Sequence, residues 1–340
     1  MPTNYALRSP IYAQATPSVA ATKSAKLLLY NSGSLIYTIV KDATQNVPVL
    51  FEIAELLRDY LTISFPEDPT TPYTTQSITF TSTIQFFDAV NAGGTATGLP
   101  ATTIGGDGWE AYGLFVEGAN PVLPFENRVK PTWLLAEKNP STVSLTDDFN
   151  IYVPSDVEGY IPYINTTGTI EYFAYNGTDT ELEQDSITCA INRIDCTKYG
   201  EGNKVTFINK YGVLQDLWFF LKKVKSITRT NERYQANTLS ATATYSQSDA
   251  TVKLFNTRAK QSRTLSSGYY PEYTNAYFEE LLLSEYVWIT RPQVDQPNID
   301  EIVPVTVRTS NMTYKTSVND RLVEYTIDFE DAFDYINNVR

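Results

Sequence analysis

Regular alternation of apolar and polar residues is the feature that most restricts what this chain can fold into. It is clearest in Lys204–Leu221, KVTFINKYGVLQDLWFFL, where two alternating runs meet at Asn209-Lys210-Tyr211-Gly212. A period of two sends successive side chains to opposite faces of a strand, so one face can be buried while the other meets water. Asn and Gly at the joint accept the backbone angles of a tight turn. The segment reads as a β-hairpin, and nothing in it carries chemistry.

The same period recurs along the chain. LLLY precedes SLIYTIV across an Asn31-Ser32-Gly33 turn, and Ser77–Phe87 alternates Ile78, Phe80, Ile84 and Phe86 with Thr, Ser and Gln. Tyr112–Glu117 and Pro131–Leu135 read as further strands. So do FNIYV, YIPYI, GTIEYFAY, SITCAI, TLSATATYS, KLFN, VPVTVRTS and LVEYTIDFE. With 24 Tyr and 16 Phe beside many Thr and Ser, composition favours strands as well. Two segments keep helical spacing instead: Glu52–Leu61, with Ile53, Leu56, Leu57, Tyr60 and Leu61 on one face, and Asn275–Tyr286, with Phe278, Leu281 and Leu282.

The expected fold class is therefore mainly β, with two or three antiparallel β-sandwich-like domains and a few short helices. A length of 340 residues exceeds what one core usually organises. Residues 1–25, rich in Ala, Thr, Ser and Pro, read as an extended N-terminal arm. Residues 26–135 read as a β-rich domain with one helix, 136–230 as a β-sandwich, and 231–340 as a β-rich C-terminal domain with one helix. Within the first, Ala89–Gly108 reads as a long surface loop; Glu137–Thr142 reads as a connector.

The absence of histidine removes Ser-His-Asp and Cys-His relays, imidazole bases and histidine metal ligands. Gly200-Glu201-Gly202-Asn203-Lys204 lacks the spacing and terminal hydroxyl of a P-loop, and Gly105-Gly106-Asp107-Gly108 does not sit at a strand-to-helix turn. Carboxylate chemistry, such as glycoside hydrolysis, stays open only because 39 acids guarantee some pair. Asp179, Glu181, Glu183 and Asp185 alternate, so a strand would carry all four on one face, as a calcium site or as a charged edge that blocks unwanted pairing. Tyr160, Tyr163, Tyr172, Phe173 and Tyr175, and likewise Tyr269, Tyr270 and Tyr273, suit a sugar-stacking platform or a packed core or interface. Cys189 and Cys196 would face each other if the chain turned at Asn192-Arg193, although reduced thiols suit a cytoplasmic protein better. No cofactor and no catalytic residue are expected, and the chain reads as non-enzymatic.

Charge is uneven. The total is −13, yet residues 221–263 hold Lys222, Lys223, Lys225, Arg229, Arg233, Lys253, Arg258, Lys260 and Arg263 against only Glu232 and Asp249, a balance of +7 that leaves −20 elsewhere. These nine cations are the candidate assembly patch, because surfaces of opposite sign set register between docking subunits. A solvated strand face is the alternative reading. Nucleic acid is not an expected partner, since the net charge is acidic and no nucleic-acid module accompanies the basic stretch. Apolar runs such as Leu217–Leu221 fall far short of the roughly 20 residues of a membrane-crossing helix. The first residues lack the apolar core of a signal peptide, so synthesis in a cytoplasm is expected.

Three segments, VTFINKYGVLQDLWFF at Val205–Phe220, FEIAELLRDYL at Phe51–Leu61 and EYTIDFEDAFDYINNVR at Glu324–Arg340, resemble parts of structural proteins of tailed bacteriophages, particularly those of Bacteroidetes hosts. The resemblance implies a virion component of the tail, baseplate or neck, made in the host cytoplasm and working through protein contacts. Expected partners are copies of itself, as a homo-oligomer or ring, and other virion proteins. A receptor-binding or glycan-binding virion module, reaching a host surface glycan or receptor, is the alternative function. A carboxylate-dependent glycosidase comes third.

Overall fold

The computed structural model describes residues 3–8, 10–66, 71–74, 77–101, 113–116, 131–136, 149–195, 202–236, 248, 250–292, 300–313 and 322–333. It is mainly β, with several antiparallel sheets and a few short helices, as the alternation predicts. The chain forms two compact units rather than three consecutive domains. One comprises Met1–Ile194 and Phe207–Leu217, the other Asp195–Thr206 and Trp218–Arg340. The expected border at residue 230 falls inside the strand Lys223–Gln235, and the expected connector Glu137–Thr142 lies outside the described residues.

In the first unit, a six-stranded sheet runs Thr3–Ala6, Gly113–Val116, Ser77–Phe87, Ser24–Asn31, Ser34–Asp42, and Ala96–Ala101 also pairs with Ser77–Phe87. The first hairpin turns on Ser32 and Gly33, both at positive φ (49° and 82°), the twist-matched geometry of a two-residue turn. Alternation does its expected work here: Leu27, Leu29, Phe80, Ile84 and Phe86 are buried in one core cluster. The expected helix is the short segment Ala54–Arg58, which buries Ala54 and Leu57.

Residues 1–25 are not a free arm. Thr3–Ala6 pairs in parallel with Gly113–Val116, Tyr12–Ala15 pairs with Val49–Glu52, and Leu7, Ile11, Ala13 and Ala15 lie in the core cluster. Small side chains on a short strand leave little hydropathic signal, which is why composition suggested an arm. Much of Ala89–Gly108 is ordered as well: Val90–Ala92 is a 3-10 turn and Ala96–Ala101 a strand, while 102–108 lies outside the described residues.

Two three-stranded sheets complete this unit. One runs Phe149–Pro154, Ile187–Ile194, Glu181–Gln184, and the other Ile170–Tyr175, Gly159–Ile164, Thr132–Trp133. The pairing of Phe149–Pro154 with Ile187–Ile194 is parallel, a departure from the antiparallel expectation. That strand also continues through Asn192 and Arg193, so the chain does not turn there. Cys189 is buried in it as a free thiol, and Cys196 lies outside the described residues.

In the second unit, the sheet runs Leu214–Phe219, Asn203–Ile208, Val287–Pro292, Asp300–Val307, Thr326–Asp331, Val252–Ser266, Lys223–Gln235. The outer part of its first hairpin, Phe207–Leu217, counts with the first unit. The helix Asn275–Leu283 buries Phe278 and Leu281. Around Phe278 pack Phe219 at 6.2 Å, Tyr270 at 5.4 Å and Tyr325 at 4.8 Å between ring centroids. The expected strand TLSATATYS lies outside the described residues.

Candidate assembly interface

Seven of the nine cations picked out from the sequence lie exposed on one element, with Lys222 directly before its first strand. Lys223–Gln235 and Val252–Ser266 pair antiparallel from Lys223↔Leu265 to Gln235↔Val252. The second strand touches a third, Thr326–Asp331, only over Ser262–Ser266. From Val252 to Lys260 it has, among the described residues, only Thr228–Gln235 beside it, a two-stranded ribbon of roughly 30 Å at 3.3 Å per residue. Nearly every side chain of this ribbon is exposed, on both faces.

Register assigns the side chains to faces, because directly opposed residues in an antiparallel pair point the same way. Lys223, Lys225, Ile227, Arg229 and Arg233 share one face of the first strand. Opposite Arg233 and Gln235 stand Leu254 and Val252. The other face carries Val224, Glu232 and Tyr234, with Lys260, Arg258, Phe255 and Lys253 across from it. Between Thr230 and Glu232 the register shifts at a bulge, where Asn256 takes a positive φ of 50°. Such a bulge sharpens the twist of an exposed ribbon. Past it, Tyr234 and Phe255 meet edge to face at 5.7 Å.

The apolar component went unnoticed in the sequence. Val224, Ile227, Tyr234, Val252, Leu254 and Phe255 are all large and exposed, Ile227 by 57% and Leu254 by 49%. The signal was present in K-V-K-S-I, where both alternating sets are solvent-facing, but charge masked it. Of the cations, Lys223 donates to Asn203 (3.2 Å), Arg258 to Asn256 (3.3 Å) and Lys260 to Glu330 (2.9 Å). Lys225, Arg229 and Arg233 meet no acceptor among the described residues.

Arg263 does not belong to the patch. It sits where the second strand enters the sheet and is buried against Asp331, with nitrogen and oxygen 3.2 Å apart. Counting charge along the sequence cannot separate a cation at the base of a ribbon from those on its exposed length.

The other expected constellations disperse. Glu181 and Glu183 are exposed on an edge strand, but Asp185 turns away at positive φ and accepts the Tyr163 hydroxyl (2.8 Å), while Asp179 accepts the Asn176 amide (2.8 Å). Among the described residues, no three acidic or thiol side chains converge as a metal site. Tyr163 and Phe173 pack on Trp133, and Tyr160 and Tyr172 on Tyr73, so this aromatic set is internal packing. Tyr270 is buried, between Tyr269 and Tyr273, which are exposed. Among the described residues, no helix is long and apolar enough to cross a membrane.

No family model matches the sequence, and no curated protein is similar to it. A solved structure, Drosophila OTK extracellular domains 3–5, overlaps 77% of this chain and 90% of that chain at 7% identity. Its TM-score of 0.17 is below the level of a shared fold.

Proposed function

We propose that this protein is a non-enzymatic structural subunit of a bacteriophage virion, of the tail, baseplate or neck type, built into its particle through the ribbon of Lys223–Gln235 and Val252–Lys260. The carrying observation is a long two-stranded element that exposes six large apolar side chains and seven cations on faces that no described residue covers. Two strands with no core on either face are marginal in water, so an element of this kind gains its stability when a partner covers it. Apolar residues ringed by charge are the composition of a specific contact surface. The resemblance of Val205–Phe220, Phe51–Leu61 and Glu324–Arg340 to phage structural proteins points the same way.

Electron microscopy of the purified chain, alone and mixed with the other virion proteins, tests this reading. The expected result is incorporation into an ordered part of the particle, and its loss in an Ile227→Asp, Leu254→Asp variant. Wild-type chains that remain monomers and enter no particle component overturn it.

A further inference from the structure

We propose that the ribbon of one copy adds, edge to edge, to the acidic edge strand Glu181–Gln184 of a second copy, so that identical subunits join head to tail. The inference rests on the assembly reading above and names the partner and its docking strand. Both elements end their sheets: among the described residues, Lys223–Gln235 has only Val252–Ser266 beside it, and Glu181–Gln184 only Ile187–Ile194. An open edge presents a row of unpaired backbone groups, and adding a strand satisfies them.

Charge selects this edge among the others. Residues 221–263, which hold the ribbon, carry +7 and the remainder of the chain −20, so the complement of the ribbon is the rest of another copy. Among the described edge strands, Glu181–Gln184 alone holds two carboxylates and no cation, both exposed and neither held in an ion pair or side-chain hydrogen bond. The single acids of two others are engaged: Glu171 accepts from Asn165 (2.9 Å), and Asp216 from the Tyr73 hydroxyl (2.8 Å). The period-two spacings also match. With Glu181 and Glu183 opposite Lys223 and Lys225 in a parallel pairing, the other face brings Leu182 onto the exposed Val224 and Gln184 onto Ser226.

Charge disfavours a symmetric ribbon-to-ribbon pairing on the same ground. Centred on Ile227 it would set Lys225 against Arg229, and centred on Arg229 it would set Lys225 against Arg233, and opposed like charges destabilise a strand pair. A contact between two different patches of one chain is heterologous, and it closes into a ring or continues as a filament according to its rotation.

Sedimentation velocity of the full chain over a concentration series at low and physiological salt reads the contact. The wild type is expected to self-associate, more weakly at high salt. A Lys223→Glu, Lys225→Glu variant and a Glu181→Lys, Glu183→Lys variant should each lose association by tenfold or more while keeping the wild-type circular dichroism spectrum. Their equimolar mixture, or the fourfold swap in one chain, should recover it. If the ribbon variant dissociates and the strand variant does not, the docking strand is wrong while the assembly reading stands. A wild type that is monomeric throughout overturns the second-copy partner. So does retention of the ribbon by double-stranded DNA without self-association at the same salt; particle incorporation then judges the assembly reading separately.

Discussion

The guanidinium of Arg263 and the carboxylate of Asp331 lie 3.2 Å apart with 6% and 3% of their side chains exposed, a buried ion pair joining the base of the ribbon to the last strand of its sheet. Arg263 Nε has no acceptor among the described residues, so the pair is incompletely satisfied there. Removing one partner leaves an uncompensated buried charge, at a cost of about 3–5 kcal/mol. Arg263→Met or Asp331→Leu alone should lower stability by that amount in urea unfolding followed by tryptophan fluorescence. The double variant should regain most of it, because an apolar pair of similar volume needs no desolvation of charge.

Which features could be read from the sequence follows from how local their signals are. The alternation in Lys204–Leu221 and Ser77–Phe87 predicts strands because side-chain period is a property of neighbours. Strand direction is not such a property, and the parallel match of Phe149–Pro154 with Ile187–Ile194 left no trace in hydropathy. The position of Arg263 depends on Asp331, 68 residues away. The ribbon cations were found by counting. That their strands lack a core on either face is decided by where Thr326–Asp331 stops pairing.

Arg193 binds four backbone carbonyls in the first unit. Nε donates to Asp179 (3.1 Å), Nη1 to Pro154 (3.3 Å) and Val157 (2.7 Å), and Nη2 to Asn176, while the guanidinium lies 5.5 Å from the Tyr175 ring centroid. Two loops are thus tied by one planar fork, which an ammonium cannot reproduce. Arg193→Lys should cost about 1–3 kcal/mol, the range for stranded hydrogen-bonding groups. Limited proteolysis checks it: cleavage within 154–157 or 176–179 should accelerate relative to wild type.

Asn209 holds the tip of the hairpin with which the sequence reading began. Its side-chain oxygen accepts the Tyr211 amide (3.0 Å), and its nitrogen donates to the Leu134 carbonyl (2.8 Å) and Gln215 Oε1 (3.0 Å). All of these bonds are buried, and Gln215 Oε1 also accepts the Ala136 amide (2.9 Å). Asn209→Ala leaves a buried carbonyl and a buried amide without partners, and should cost about 1–3 kcal/mol for each group left unsatisfied. Asn209→Asp should be worse, since it keeps the acceptor, loses both donated bonds and buries a charge. Urea unfolding of the two variants should rank them in that order.

Stability should fall on the alkaline side, and the order in which groups contribute is set by their burial. Burial pushes the Cys189 thiol well above its ordinary value of 9.0. Burial also raises the Tyr163 phenol above 10.0, helped by its bond to Asp185, and raises Tyr172, where acceptance of the Leu214 amide only partly opposes it. In each case the folded state holds its proton more tightly than the unfolded chain. The contribution is therefore complete below the unfolded value and is lost as pH rises toward the folded one. The urea midpoint should begin to drop near pH 9, where only the unfolded thiol ionises, and fall more steeply above pH 10 as the phenols join. Cys189→Ala should flatten the first part of the decline, and Tyr172→Phe the second. A Cys189→Ala profile parallel to wild type from pH 9 to 10 would show that the thiol does not differ between the two states. Mass spectrometry of the Cys189 peptide after thiol labelling gives the independent check: modification should track unfolding, because a neutral buried thiol is a poor nucleophile.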